Sequence, residues 1–139
     1  MKKKKRVLVD MSGTLIHHGH IRILKKAHIL GNVYVALTSD KEIKKYKGYF
    51  PELNFVQRKE IISSIKYVKK VIKSKWIIND NFLKKHKISL LIHGNDNSNK
   101  VKKEKIKIFD RTKGISSDLI RQKSCKIINN IQKKLNENI

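Results

Sequence analysis

Short apolar runs rich in β-branched residues alternate along this chain with segments of helical spacing, and that alternation narrows the fold more than any other feature. Val7–Val9, Val33–Leu37, Val68–Ile72, Ser89–Ile92 and Ile106–Phe109 read as strands. Between them, His18–Leu30 sets Ile23, Ala27 and Leu30 at helical spacing, with Leu24 beside them and Gly31 as the stop. Asp40–Lys45 is a short helical turn, followed by a loop over Lys47–Pro51. Asn54–Ile65 carries Ile61, Ile62 and Ile65 on one face, and Asn79–His86 is a short helix. Ser116 caps a last helix over 116–136, with Ile120, Ile127, Ile131 and Leu135 along one side, and the tail past Lys133 is expected to fray. Strand and helix in turn imply an α/β domain of three layers, a parallel sheet of about five strands covered on both faces. Ligands in such domains sit at the carboxyl ends of the strands.

The 139 residues fit one domain, 1–139, with no repeat and no linker. Folding at this size buries roughly 70% of the unfolded surface, so no covalent staple is needed. The single cysteine, Cys125, rules out an internal disulfide and suits a reducing compartment. No apolar run approaches the ~20 residues of a membrane span. Met1–Arg6 is basic, but Val7–Met11 contains Asp10 and is too short for the core of a signal peptide, so a cytoplasmic protein without a membrane partner is expected. The net charge of +23, from 34 Lys+Arg against 11 Asp+Glu, admits a polyanionic partner or lysines on solvated faces. The lysines are spread over the whole chain. Only 6% of residues are aromatic and no stacking platform is visible. A non-catalytic nucleic-acid-binding protein is therefore the lesser reading, and no nucleic acid is expected as partner.

Ser12-Gly13-Thr14-Leu15-Ile16-His17-His18-Gly19-His20 joins the first strand to the first helix, where an α/β sheet places phosphate. Free backbone N–H groups and the positive end of the helix dipole point there. Gly13 suits an unusual turn, and Gly19 removes a side chain from the path of a ligand. His17 and His20, three residues apart, share a helix face and can donate to oxygens that gain charge during reaction. Such a pair also fits a plain helix cap. Zinc is a third reading, but no Cys or acidic ligand stands close by.

A second anion site reads from Arg111-Thr112-Lys113-Gly114-Ile115-Ser116-Ser117, between the last strand and the last helix. Arg111 offers a planar fork of donors, Gly114 permits close approach, and Ser116 and Ser117 place hydroxyls at a helix N-terminus. Taken alone, the run also fits a routine loop with a capping serine.

Together the two segments resemble the His-x-Gly-His and Arg-Thr-x-Gly-Ile-Ser-Thr motifs of the cytidylyltransferases, within the nucleotidyltransferase superfamily. The resemblance covers roughly residues 6–121 and implies a Rossmann-like fold. It implies transfer of CMP from CTP to a phosphorylated small molecule, a glycerol-3-phosphate or similar polyol phosphate, with release of pyrophosphate. An adenylyltransferase of the same superfamily, using ATP, is the alternative. Magnesium carried on the nucleotide phosphates and a homodimer formed near the first motif are also implied.

The same resemblance assigns roles. His17, His20, Lys47 and Arg111 would be catalytic, with Lys47 on a mobile loop where Lys44 and Lys45 are alternates. Ser12, Gly13, Gly19, Gly94, Asp96, Arg111, Thr112, Gly114, Ile115, Ser116 and Ser117 would bind the nucleotide. Gly94 and Asp96 come from His93-Gly94-Asn95-Asp96, which resembles a His-Gly-Asp-Asp or Met-Gly-Asp-Asp loop with Asn95 in place of the first aspartate. Thr14, Lys47, Arg58 and Trp76 would serve the acceptor, Arg58 by holding its phosphate or the loop, though a half-buried core role also fits Trp76. No protein metal ligand is expected. The departure lies at Thr14, where the family carries an aspartate, and Asp10 stands too far back to replace it without a shift.

Overall fold

The computed structural model describes residues 3–139; Met1 and Lys2, the start of the basic opening stretch, lie outside the described residues. Five strands form one sheet in the order β3-β2-β1-β4-β5. They are β1 (Arg6–Met11), β2 (Asn32–Thr38), β3 (Val68–Ser74), β4 (Ile88–His93) and β5 (Ile106–Ile108). All neighbouring strands run parallel. The helices are α1 (His18–Leu30), α2 (Asp40–Lys47), α3 (Phe55–Ser63), α4 (Asp80–Lys85) and α5 (Ser117–Glu137). This is the expected Rossmann-like α/β arrangement.

The alternation of side chains along β1 divides the core. Val7 and Val9 pack with Leu24 and Ala27 of α1 and Ile62 of α3 on one face. Leu8 faces the other way, onto Ile78 and onto Leu83 of α4. Buried on both sides, β1 reads as a continuous apolar run, as parallel strands do.

Several boundaries move. β1 extends to Met11, because Asp10 and Met11 still pair with Ala36 and Leu37 of β2. α2 continues two residues past Lys45, so Lys47 ends a helix rather than sitting in a loop. Gly48, with φ of 82°, closes that helix through its N–H to the Lys44 carbonyl. β3 continues to Ser74, paired with Thr38, and β5 stops at Ile108. α5 holds its helix to Glu137 instead of fraying after Lys133. Its apolar side is not covered by the domain: Ile127, Ile128, Ile131 and Leu135 are each more than half exposed. Among the described residues, no helix is long and apolar enough to cross a membrane.

Candidate active site

The chain leaves β1 through Ser12 and Gly13, whose φ of 55° is the left-handed conformation that favours glycine. His17 then caps α1. Its Nδ1 accepts from the N–H of Gly19 at 3.1 Å, while Nδ1 of His20 accepts from the N–H of His17 at 3.2 Å. Two imidazoles thus complete a capping box, so the helix-cap reading and the site reading describe one arrangement. An accepting Nδ1 assigns the proton of each neutral ring to Nε2. Burial lowers the His20 pKa to about 3, with His17, Arg111 and Lys47 adding to the effect. Burial, His18 and Arg111 lower His17 too. With ring centroids 4.0 Å apart, the pair offers neutral Nε2–H donors at pH 7.

These histidines line an open cleft of about 410 Å³ at the carboxyl end of the sheet. Ser12 and Gly19 line it beside them, and Gly94 and Asp96 come in from the loop after β4. Arg111, Thr112, Ile115, Ser116 and Ser117 close the side formed by the second motif. The two motifs are also tied directly. Ser117 Oγ donates to the carbonyl of Leu15 at 3.0 Å, 102 positions earlier in the chain. Ser116 Oγ accepts from the N–H of Leu119 and caps α5.

Lys47 and Trp76 also line the cleft. Trp76 stacks on Tyr46 with centroids 5.3 Å apart and 14° between planes, and the Lys47 ammonium lies 5.8 Å from the Trp76 ring centre. Lys47 is an exposed residue, yet partial desolvation of its ammonium lowers its pKa, against Asp118, which raises it.

Four sequence-assigned residues do not line the cleft. Gly13 and Gly114 act through backbone conformation, Gly114 with φ of 78°. Thr14 is fully buried, and neither its hydroxyl nor that of Tyr49 has a hydrogen-bond partner. Arg58 is fully buried as well and donates to the carbonyls of Leu53, Ser12 and Thr38 and to Asp40. Its guanidinium organises the turn after β1, which leaves it no free face for an acceptor phosphate.

The cleft also contains residues that sequence reasoning passed over. Asp10 projects into it from β1, bonded to His93 Nδ1 and, at 2.8 Å, to Asn99 Nδ2. Strand alternation could have flagged Asp10, since Val7 and Val9 face one layer and Leu8 the other, and a carboxylate near the strand's carboxyl end has only the ligand side to face. Burial acts to lower the His93 pKa, but the bond to Asp10 and the charges of Asp10 and Asp96 outweigh it and raise the pKa.

The cytidylyltransferase-like family model matches residues 14–123, and so spans both motifs and the strands between them. The chain belongs to the cytidylyltransferase-like family. It is accordingly a nucleotidyltransferase. Among its relatives is the glycerol-3-phosphate cytidylyltransferase of Staphylococcus aureus, 33% identical over 126 residues, covering 85% of this chain and 93% of that one. The ethanolamine-phosphate cytidylyltransferase of Arabidopsis thaliana is 34% identical over 104 residues, but only 24% of its length is matched. The fold is shared with the crystal structure of the lipopolysaccharide core biosynthesis protein from Thermoplasma volcanium, at a TM-score of 0.67 and 21% identity, covering 78% of this chain and 98% of that one.

Proposed function

We propose that this nucleotidyltransferase transfers CMP from CTP to a polyol phosphate such as glycerol-3-phosphate and releases pyrophosphate. The observation that carries the reading is the convergence of two anion-binding segments on one cleft, the paired imidazoles at the start of α1 and Arg111 with Ser116 at the start of α5. The acceptor assignment rests on the relative matched over nearly its whole length, a glycerol-3-phosphate cytidylyltransferase.

In this reading the acceptor's phosphate oxygen attacks the α-phosphorus in line, and pyrophosphate departs with the electron pair of the broken bond. The protein's part is positioning and charge stabilisation. The Nε2–H groups of His17 and His20 donate to phosphate oxygens as charge builds. Being neutral, they do so without the cost of burying a cation. Lys47 and Arg111 neutralise the triphosphate, and the α5 N-terminus holds it.

Magnesium fits this site as an ion carried on the phosphates. Among the described residues no cluster of three or more His, Cys, Asp or Glu could hold a metal on its own, and Asp96 is engaged with Arg111. Bound there, the ion would neutralise phosphate charge. A reducing, cytoplasmic setting is part of the same reading. A homodimer joined near the first motif belongs to the same reading, and sedimentation velocity tests it.

The decisive test is the thermal midpoint with magnesium and each of CTP, ATP, GTP and UTP. A ligand at 100 times its dissociation constant should stabilise the fold by ~2.7 kcal/mol. A shift with CTP, lost in Arg111→Ala, followed by pyrophosphate release with glycerol-3-phosphate, is the expected result. A shift with ATP alone would replace the reading with adenylyl transfer. Equal shifts with all four that fade as salt rises would reduce it to charge-driven binding.

A further inference from the structure

Asp10, His93, Asp96 and Arg111 form a chain of alternating charge from the floor of the cleft to its lip. Asp10, on β1, is nearly buried, with its side chain 10% exposed. Its Oδ1 meets Nδ1 of His93 at the carboxyl end of the adjacent β4, and its Oδ2 accepts from Asn99 Nδ2. Both carboxylate oxygens are thereby occupied inside the protein, so Asp10 is not the free carboxylate that would touch substrate. Nε2 of His93 lies 3.5 Å from Oδ1 of Asp96. Oδ2 of Asp96 in turn accepts from a terminal nitrogen of Arg111. A glycine makes this packing possible: a Cβ at Gly94 would lie 3.1 Å from Asp96 Oδ1 and 3.2 Å from Arg111 Nε.

We infer that Asp10 is a positioning residue for Arg111, acting through His93 and Asp96 to hold the guanidinium where it meets the nucleotide phosphates. The inference rests on the nucleotidyl-transfer reading of the cleft. Its physical basis is that Arg111 is otherwise an exposed, flexible side chain, 64% accessible. An exposed ion pair does not by itself fix such a chain. Here Asp96 is anchored from behind. When His93 carries its second proton, Nδ1–H binds Asp10 while the charged ring attracts Asp96, 3.5 Å from Nε2, and the arginine's partner is held in place. When His93 loses that proton, Asp10 keeps the Nδ1–H, and the bare Nε2 faces the Asp96 carboxylate and repels it.

The groups facing His93 are Asp10 from β1, Asp96 from its own loop and Arg111 from the second motif. The carboxylates raise its pKa above 6.5 despite burial. The anchored state therefore persists below that raised pKa and is lost as pH rises through it. In Asp10→Asn the carboxylate's support is gone, burial acts with less opposition, and the transition moves to lower pH.

The test is a double-mutant cycle on the affinity for CTP with magnesium, measured by calorimetry from pH 5.5 to 8.5, together with the His93 ring titration by NMR in the ligand-free protein. Asp10→Asn is nearly isosteric, and its thermal midpoint reports folding. His93→Gln is a second variant that removes the titration. The expected result is a loss of about tenfold in affinity for Asp10→Asn at pH 6.5, shrinking below about twofold when Arg111 is already alanine, because the two residues act as one unit. The His93 transition should move to lower pH in Asp10→Asn than in wild type, and the difference in pH dependence between wild type and His93→Gln should trace His93. Losses that add, or a His93 titration indifferent to Asp10, would overturn the inference while leaving CTP binding intact. A wild-type protein that does not bind CTP at any pH would overturn the cytidylyl reading and this inference with it.

Discussion

Arg58 reaches the main-chain carbonyl of Ser12 at 2.6 Å, although 46 positions separate them in the chain. The same guanidinium donates to Thr38 and Leu53 carbonyls and pairs with Asp40 at 2.5 Å. One buried cation thus fixes the turn that delivers the first motif, the end of β2 and the start of α3. Removing it leaves three carbonyls and a partly shielded carboxylate without their donor. Arg58→Ala should cost roughly 3–5 kcal/mol of stability by urea denaturation, the range for breaking one side of a buried pair. Arg58→Lys should recover only part, since an ammonium cannot span four acceptors. A cost under about 1 kcal/mol would show that the turn stands without it.

Gly19 offers a separation of function from folding. A Cβ at this position would lie 2.8 Å from Cε1 and 2.9 Å from Nδ1 of His17, and both contacts are to a side chain that can swing away. Gly19→Ala should therefore still fold, giving up the His17 cap at a cost of about 1 kcal/mol, but displace the imidazole. A misplacement of about 1 Å at a reacting group can cost on the order of 10²-fold in rate. Steady-state pyrophosphate release reads this directly, and an unchanged kcat would mean that His17 tolerates the shift.

The buried neutral state of His20 carries a pH signature. Its folded pKa, about 3, lies below the ordinary 6.5, so the unfolded chain takes up a proton that the folded one refuses. Stability from this residue is complete above 6.5 and is lost as pH falls towards 3. Linkage puts the loss at about 2 kcal/mol between pH 7 and pH 5. His93, raised rather than lowered, works in the opposite sense, so the comparison of wild type with His20→Asn isolates the effect. Denaturation midpoints at the two pH values should converge in the variant; parallel behaviour would mean that His20 charges without penalty.

Thr14 makes the reverse case, a polar group the fold would be better without. Its hydroxyl is buried and unpaired. Thr14→Val keeps the shape and removes the hydroxyl, so stability should hold or rise by about 1 kcal/mol. A loss of more than about 1 kcal/mol would point to a hydrogen bond with the neighbouring Tyr49 hydroxyl.

The sheet, its helices and the two motifs were legible in the sequence because each is written locally. Val7–Val9 needs only its own side chains to declare a buried strand, and His17 to His20 declare themselves by spacing. What could not be read depends on pairs remote in sequence. Asp10 and His93 are 83 positions apart and meet only because β1 and β4 are neighbours in the sheet. Arg58, at a helix start, looks like a ligand for phosphate until the carbonyls that consume its donors are in place. Lys47 looked like part of a loop because Lys44 to Tyr49 has almost no apolar periodicity; the left-handed turn at Gly48 supplies the missing stop. The stripe on α5 was correctly periodic, but periodicity says where apolar residues lie and not whether the domain covers them.

The central position of β1 also joins two halves of the chain. Its pairing with β2 closes over a single helix, while its pairing with β4 waits for Ile88–Ile92 to arrive from the far half of the chain. Contacts between such distant segments form slowly. His17 and His20 belong to the first half, and His93 and Arg111 to the second. The cleft exists only once the two halves have joined. A nucleotide gripping both would act as a latch between them, stabilising the joined state by mass action.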